Sequence, residues 1–185
     1  MNTKLTIKTI TLIGLMASLL CILGPLSIPL PFSPVPLSLT NLAVFITIYV
    51  LGMKKGTVSY LIYLLLGAAG LPIFSGFTGG LGKLLGPTGG YLFGFVFMAF
   101  ICGYFIDRWF QKWYLCLVGL LIGTAGCNLL GTLWLAYQNS MSLPAALMVG
   151  VIPFILNDLM KIAISLILGP VLRKALLRAH LIHNG

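Results

Sequence analysis

Val149-Gly-Val-Ile-Pro-Phe-Ile-Leu-Asn-Asp-Leu-Met-Lys-Ile-Ala-Ile-Ser-Leu-Ile-Leu-Gly-Pro-Val-Leu172 is a long apolar run that holds two charged residues, Asp158 and Lys161. About 20 predominantly apolar residues carry a helix across a bilayer, so the run reads as a membrane-spanning helix. A charge near the bilayer centre costs about 2.5–3.5 kcal/mol on insertion scales. The whole chain has only two acidic residues, Asp107 and Asp158. Asp107 stands beside Arg108 in what reads as a loop or helix end; Asp158 has no such neighbour. At i and i+3, Asp158 and Lys161 share one helix face and can pair. An acid–base pair inside the membrane marks a candidate functional site.

The composition agrees with that reading. Of the 185 residues, 59% are hydrophobic and 7% charged, with a mean hydropathy of +1.11. A soluble domain carries about 25% charged residues. The length accommodates about six spanning helices with short loops, so residues 1–185 read as a single transmembrane domain. The apolar runs are too long and too unalternating for barrel strands, and the expected fold class is an all-α integral membrane bundle. Six segments are predicted, at about 8–26, 39–52, 57–71, 90–109, 113–137 and 143–177. Lys4 and Lys8 before the first run resemble the start of a signal peptide. No small-residue cleavage site follows cleanly, so this run is read as a retained helix.

The net charge of +9 is distributed by topology rather than for nucleic acid. If six helices alternate, Lys4, Lys8, Lys54, Lys55, Arg108, Lys112, Arg173, Lys174 and Arg178 all fall on one side, and Lys83 on the other. The positive-inside rule then places both termini in the cytoplasm of a multi-pass plasma-membrane protein.

The two longer outer segments have unusual compositions. The first contains Pro25, Pro29, Pro31, Pro34 and Pro36, and the second is rich in glycine between Gly76 and Gly90. Both are apolar, so they are expected to fold back onto the protein and cover it, or else to lie in the lipid interface. The run Gly80-Leu-Gly-Lys83 is a near miss for a phosphate-binding loop: Phe77 stands where that motif needs glycine, and Leu84 where it needs Ser or Thr. Nucleotide binding is not expected.

On the sixth helix, Phe154, Asp158, Lys161 and Ser165 fall on one face, with Asn157 beside Asp158. They suit either a polar ligand in an apolar pocket or a structural ion pair. Thr124, Asn128 and Thr132 align on the fifth helix, as ligand contacts or as an interhelical hydrogen bond. Small pairs mark close approaches: Gly14 and Ser18, Ala17 and Cys21, Gly119 and Gly123. Trp109, Trp113 and Tyr114 read as interfacial anchors. Cys21, Cys102, Cys116 and Cys127 have no metal or redox spacing and read as small buried residues, while His180 and His183 read as a solvated tail.

No nucleophile–base pair or metal set lies within the spans, so an enzyme is not expected. A proton-coupled carrier of a small polar or vitamin substrate is an alternative, because one Asp can relay protons. Inverted repeats and broken helices are not visible. A substrate-binding membrane subunit fits better and needs no cofactor.

Three stretches carry a family resemblance: Pro34-Val-Pro-Leu-Ser-Leu-Thr40 with Asn41-Leu-Ala-Val-Phe; Gly79-Gly-Leu-Gly-Lys-Leu-Leu-Gly-Pro-Thr-Gly-Gly-Tyr-Leu-Phe-Gly-Phe95; and Asn157-Asp-Leu-Met-Lys161. In this order the chain resembles the BioY family, the biotin-specific substrate-binding components of energy-coupling factor (ECF) vitamin transporters. The resemblance implies six helices with cytoplasmic termini and capture of biotin from outside. It also implies partners: a transmembrane coupling protein and two ATPase subunits. An Ala-x-x-x-Ala surface on the first helix of such proteins docks the coupling protein; Ala17 and Cys21 match it imperfectly, with Gly14 and Ser18 alongside. The family commonly has Gln where this chain has Thr40, and Gly where it has Asn157. Toward biotin, the resemblance implies that Asp158 accepts from the ureido N–H groups, Lys161 donates to an oxygen, and Asn128, Thr40, Asn157 and Tyr91 add polar contacts. Phe93 and Phe154 supply apolar walls, and Lys83 or the backbone around Gly80 takes the carboxylate.

Overall fold

The computed structural model describes residues 6–182; Lys4 and His183 lie outside the described residues. Helix α1 (Ile7–Leu23) starts at Thr6, whose hydroxyl accepts the Thr9 N–H. Its Ile13, Ala17 and Leu20 face inward, and Ser59 Oγ donates to the Ile13 carbonyl at 3.0 Å. In place of the continuous small-residue surface expected on this helix, Ala17 is buried and Cys21 packs against the core, while Gly14 and Ser18 stay exposed.

The proline-rich segment corrects the all-helical expectation. It forms an antiparallel hairpin, β1 (Ser27–Leu30) and β2 (Ser33–Ser38), paired Ser27 to Ser38, Ile28 to Leu37 and Leu30 to Ser33. Proline cannot donate to a ladder, which confines it to edges and irregular positions. Both strands of this ribbon are edges, and the register shifts between Ile28 and Leu30, where Pro29 sits.

Helix α2 (Thr40–Ala68) contains two passes rather than one. Gly52 has φ 76° and ψ −179°, a left-handed conformation that glycine adopts without steric cost. The chain reverses there: a Cβ placed on Gly56 would lie 3.2 Å from the Ile48 Cα, whereas eight residues of unbroken helix span about 12 Å. The second arm therefore begins with unpaired amides. Asp107 supplies a partner, accepting the Met53 N–H at 2.7 Å on one oxygen and Arg173 Nη1 at 3.1 Å on the other. Arg173 in turn lies 4.9 Å above the Phe110 ring. Asp107, read from the sequence as an incidental helix-end charge, is thus the cap that holds the turn.

The glycine-rich segment folds back on the bundle. Phe74 is fully buried against Gly67, Gly80 N–H donates to the Gly67 carbonyl at 2.7 Å, and Gly76 N–H reaches the Pro25 carbonyl at 3.0 Å. A single-turn helix, α3 (Leu81–Leu84), leads into α4 (Gly89–Trp109) and then α5 (Trp113–Gln138). These two helices pack tightly through glycines: Gly94 meets Cys127, Gly119 meets Phe105 and Gly123 meets Cys102. The small pair Gly119 and Gly123 is therefore spent on contacts within the chain.

The last predicted span is broken. Helix α6 (Leu143–Gly150) ends in a 3-10 turn, Ile152–Phe154, and α7 (Ile155–Arg178) follows. Pro153 explains the break: it has no N–H to offer the carbonyl four residues back, and its ring clashes with that carbonyl. That carbonyl belongs to Val149 and accepts Ser33 Oγ from the hairpin at 2.6 Å; the next, Gly150, accepts the Tyr91 hydroxyl at 2.9 Å.

Counting the two arms of α2 and treating α6 with α7 as one, the described residues form six long helical segments. The helical stretches Gly89–Trp109, Trp113–Gln138 and Leu143–Arg178 are each long and apolar enough to cross a membrane, whereas Thr40–Ala68 reaches that length only as the sum of its two arms. Tyr49, Tyr60, Tyr63, Phe45 and Phe74 fill the centre, while Ile7, Leu65, Leu156 and Ile167 point outward, as lipid-facing side chains do.

Gly52→Ala is expected to lower stability by about 2 kcal/mol or more, because it forces a side chain into φ > 0 and places its Cβ 2.6 Å from an Asp107 carboxylate oxygen. Gly14→Ala, whose Cβ meets nothing within 4 Å, is expected to leave the melting temperature in detergent unchanged. Equal melting of the two variants counts against the Gly52 turn.

Candidate functional site

The hairpin, the glycine-rich segment, α6 and the first turn of α7 gather at one end of the bundle. Beneath them lies a cavity walled by Val35, Pro36, Leu92, Phe95, Met98 and Phe154, with polar groups from Ser38, Asn41, Thr88, Tyr91, Thr124, Asn128, Asp158 and Lys161. The break before α7 positions its acid. Asp158 falls in the first turn of that helix, where the exposed amides and the helix dipole favour negative charge.

Asp158 and Lys161 are 8% and 5% exposed, so both charges depend largely on protein partners. Their direct contact is loose, at 4.0 Å. A third residue joins them. Asn41 Nδ2 donates to Asp158 Oδ1 at 2.7 Å, and Lys161 Nζ donates to Asn41 Oδ1 at 2.7 Å. Asn128 Nδ2 donates to the second Asp158 oxygen at 3.3 Å, and Lys161 also donates to the Ser38 carbonyl at 2.6 Å. The orientation of the Asn41 amide follows from its neighbours: a carboxylate only accepts and an ammonium only donates.

Of the candidate contacts singled out from sequence, Asp158, Lys161, Asn128, Thr124, Tyr91, Thr40 and Phe154 line this cavity together. The others stand elsewhere. Phe93 projects from the opposite side of α4 and packs on Trp134, centroid to centroid 6.0 Å, because adjacent helical residues are turned about 100° apart. Asn157 is half-buried and does not line the cavity, for the same reason relative to Asp158. Gly80 belongs to the covering loop, with φ 86°. Lys83 lines an adjoining cleft with Ser27, Pro29 and Ser33; that cleft shares Pro36 and Ser75 with the main cavity. Burial lowers the Lys83 ammonium from the ordinary lysine range.

Asn41 is the residue the sequence reading passed over. It sits among the residues that carried the family resemblance, but as one carboxamide at the head of an apolar run it reads as a helix boundary. Phe95 and Ser38 escaped notice similarly. The usable signal was a strongly polar side chain in the first turn of a spanning helix, where water is scarce and every polar group needs a partner. Among the described residues, no group of His, Cys, Asp or Glu is arranged to hold a metal ion.

Comparison with known proteins gives one consistent answer. The model of the BioY family matches residues 1–178. A biotin transporter BioY of Thermotoga maritima is 38% identical over 164 residues, covering 87% of this chain and 93% of the relative. Biotin transporter BioY2 of Lactococcus lactis is 35% identical over 175 residues, covering 95% and 94%. Among solved structures, the S-component for biotin from an ECF-type ABC transporter matches with a TM-score of 0.86 and 33% identity, over 94% of this chain and 95% of that one.

The network predicts strong coupling between the two charges. Lys161→Met strands a buried carboxylate and is expected to cost about 3–5 kcal/mol. Asp158→Leu with Lys161→Met is expected to cost less than the sum of the single changes, by at least about 1 kcal/mol. A double-mutant cycle on denaturant unfolding measures this, and additive effects would show that the charges act independently.

Proposed function

The chain belongs to the BioY family, and we propose that it is the membrane-embedded, high-affinity biotin-binding subunit of an ECF-type ABC transporter, taking biotin from outside for ATP-driven uptake by partner subunits. The observation that carries this reading is Asp158, paired through the Asn41 amide to Lys161 and set inside a largely apolar cavity.

Biotin's ureido ring offers two N–H donors and one carbonyl. Asp158 accepts from N–H, Lys161 donates to the ureido carbonyl, and Asn128 serves either role. Because Lys161 lies beside Asp158, we assign it to the ureido end. Phe95, Met98 and Phe154 suit the thiophane ring and aliphatic chain. Thr40 and Tyr91 brace the walls, Tyr91 through the freed carbonyl of Gly150. The valerate carboxylate points toward the adjoining cleft, where Lys83 and the backbone near Gly80 receive it. Asn157 and Phe93 act at most through packing in this arrangement.

Orientation follows from charge. Lys54, Lys55, Arg108, Lys112 and Arg178 lie at the end opposite the cavity, so the positive-inside rule turns the cavity outward and leaves both termini in the cytoplasm. The coupling protein and two ATPase subunits supply the hydrolysis for which this chain has no motif. The exposed stripe of α1 containing Gly14 and Ser18 is the docking face we assign to the coupling protein; Ala17 and Cys21 support it from behind.

Purified protein in detergent is expected to bind biotin saturably below micromolar concentration by calorimetry, and Asp158→Asn to weaken binding at least about tenfold while keeping the protein folded. Unsaturable heat at micromolar biotin would sink the substrate assignment. Uptake driven by a proton gradient in vesicles lacking ATPase partners would favour a stand-alone carrier instead.

Lys83 adds a pH signature. Its ion pair with the carboxylate exists while the lysine is protonated and is lost as pH rises through its folded pKa. Burial lowers that pKa, so in the free protein the loss begins below the ordinary lysine range. Biotin's advantage over its neutral amide is expected to shrink with rising pH and to disappear in Lys83→Met. An advantage that survives in Lys83→Met would assign the carboxylate elsewhere.

A further inference from the structure

We propose that Asn41 is a built-in stand-in for the ligand's ureido group, occupying Asp158 and Lys161 until biotin displaces it; the inference rests on the biotin reading above. A primary carboxamide presents an N–H and a carbonyl side by side on one edge, and a cyclic urea presents the same edge. Asn41 turns that edge toward the two charges, donating to Asp158 Oδ1 at 2.7 Å and accepting from Lys161 Nζ at 2.7 Å. These are the bonds that a ureido N–H and carbonyl would make to the same atoms.

The exchange conserves the hydrogen bonds made by the two charged groups. Asp158 keeps Asn128 on its other oxygen, and Lys161 keeps the Ser38 carbonyl, throughout. Only the Asn41 side chain leaves, and the ureido edge takes both vacated positions. The device answers a problem set by burial: Asp158 is 8% exposed and Lys161 5% exposed, so without an internal partner two charges would rest largely desolvated and poorly paired. Asn41 is placed to act this way because it sits in the first turn of α2, within three residues of the end of β2. Its side chain therefore enters the cavity at the junction of the covering hairpin and the bundle.

A competing role, direct contact between Asn41 and bound biotin, makes opposite predictions. If Asn41 is a stand-in, truncating it removes a competitor. Biotin titrations by calorimetry and melting curves with and without saturating biotin are measured on full-length wild type, Asn41→Ala and Asn41→Ser; a serine hydroxyl is too short to bridge both charges. The expected result is a lower melting temperature without biotin, an unchanged one with biotin, and a Kd tightened about tenfold. Weaker binding, with both melting temperatures falling together, makes Asn41 a ligand contact and overturns the proposal. Unchanged affinity and unchanged melting overturn it too. Wild-type protein that binds no biotin overturns the functional reading itself, whatever the variants do.

Discussion

A helix interruption frees backbone groups that the helix no longer pairs, and packing against another part of the chain can supply their partners. Two interruptions organise the fold, and each has a named answer. At Gly52 the helix reverses, and Asp107 takes the first orphan amide of the second arm. At Pro153 the helix breaks, and Ser33 and Tyr91 take the carbonyls it releases at Val149 and Gly150. The second break also aims the amino end of α7 at the cavity. A proline that removes one hydrogen bond thereby clamps the hairpin to α6, anchors Tyr91 and places Asp158 at the favourable end of a helix.

The two acidic residues divide the work. Asp107 sits toward the end opposite the cavity and is consumed by structure, bonded to Met53 N–H and to Arg173. Asp158 is bonded by side-chain amides alone, through Asn41 and Asn128. Backbone partners cannot move without unfolding something, whereas amide side chains can rotate away. That difference separates a charge that holds the fold from one whose bonds can pass to a ligand. It also accounts for the looseness of the direct Asp158–Lys161 contact at 4.0 Å: the intervening amide keeps the charges satisfied without locking them together.

Much was legible along the chain because it depends on local physics. Long apolar runs announce spans, lysines and arginines at their ends announce alternation, and an acid in an apolar run announces a site. The six helical segments and the cavity residues Asp158, Lys161, Asn128, Thr124 and Phe154 could be named this way, with the resemblance adding Thr40 and Tyr91. Phe93 and Asn157 went astray because a neighbour in sequence is not a neighbour in space: one residue along a helix turns the side chain about 100° away. The proline-rich segment read as an extended cover, and only its pairing partner made it a hairpin.

The sequence by itself determined that the chain lives in a bilayer, roughly where its apolar helices run, and which charges are too costly there to lack a purpose, because composition and periodicity set those directly. Tertiary structure alone decided what those charges touch. Asn41 meets Asp158 and Lys161 across more than a hundred residues of chain, at 117 and 120 positions' separation. Asp107 meets Met53 and Arg173 across 54 and 66 positions. Such contacts arise from the packing of whole helices, and no local pattern encodes which polar groups that packing brings within hydrogen-bond reach.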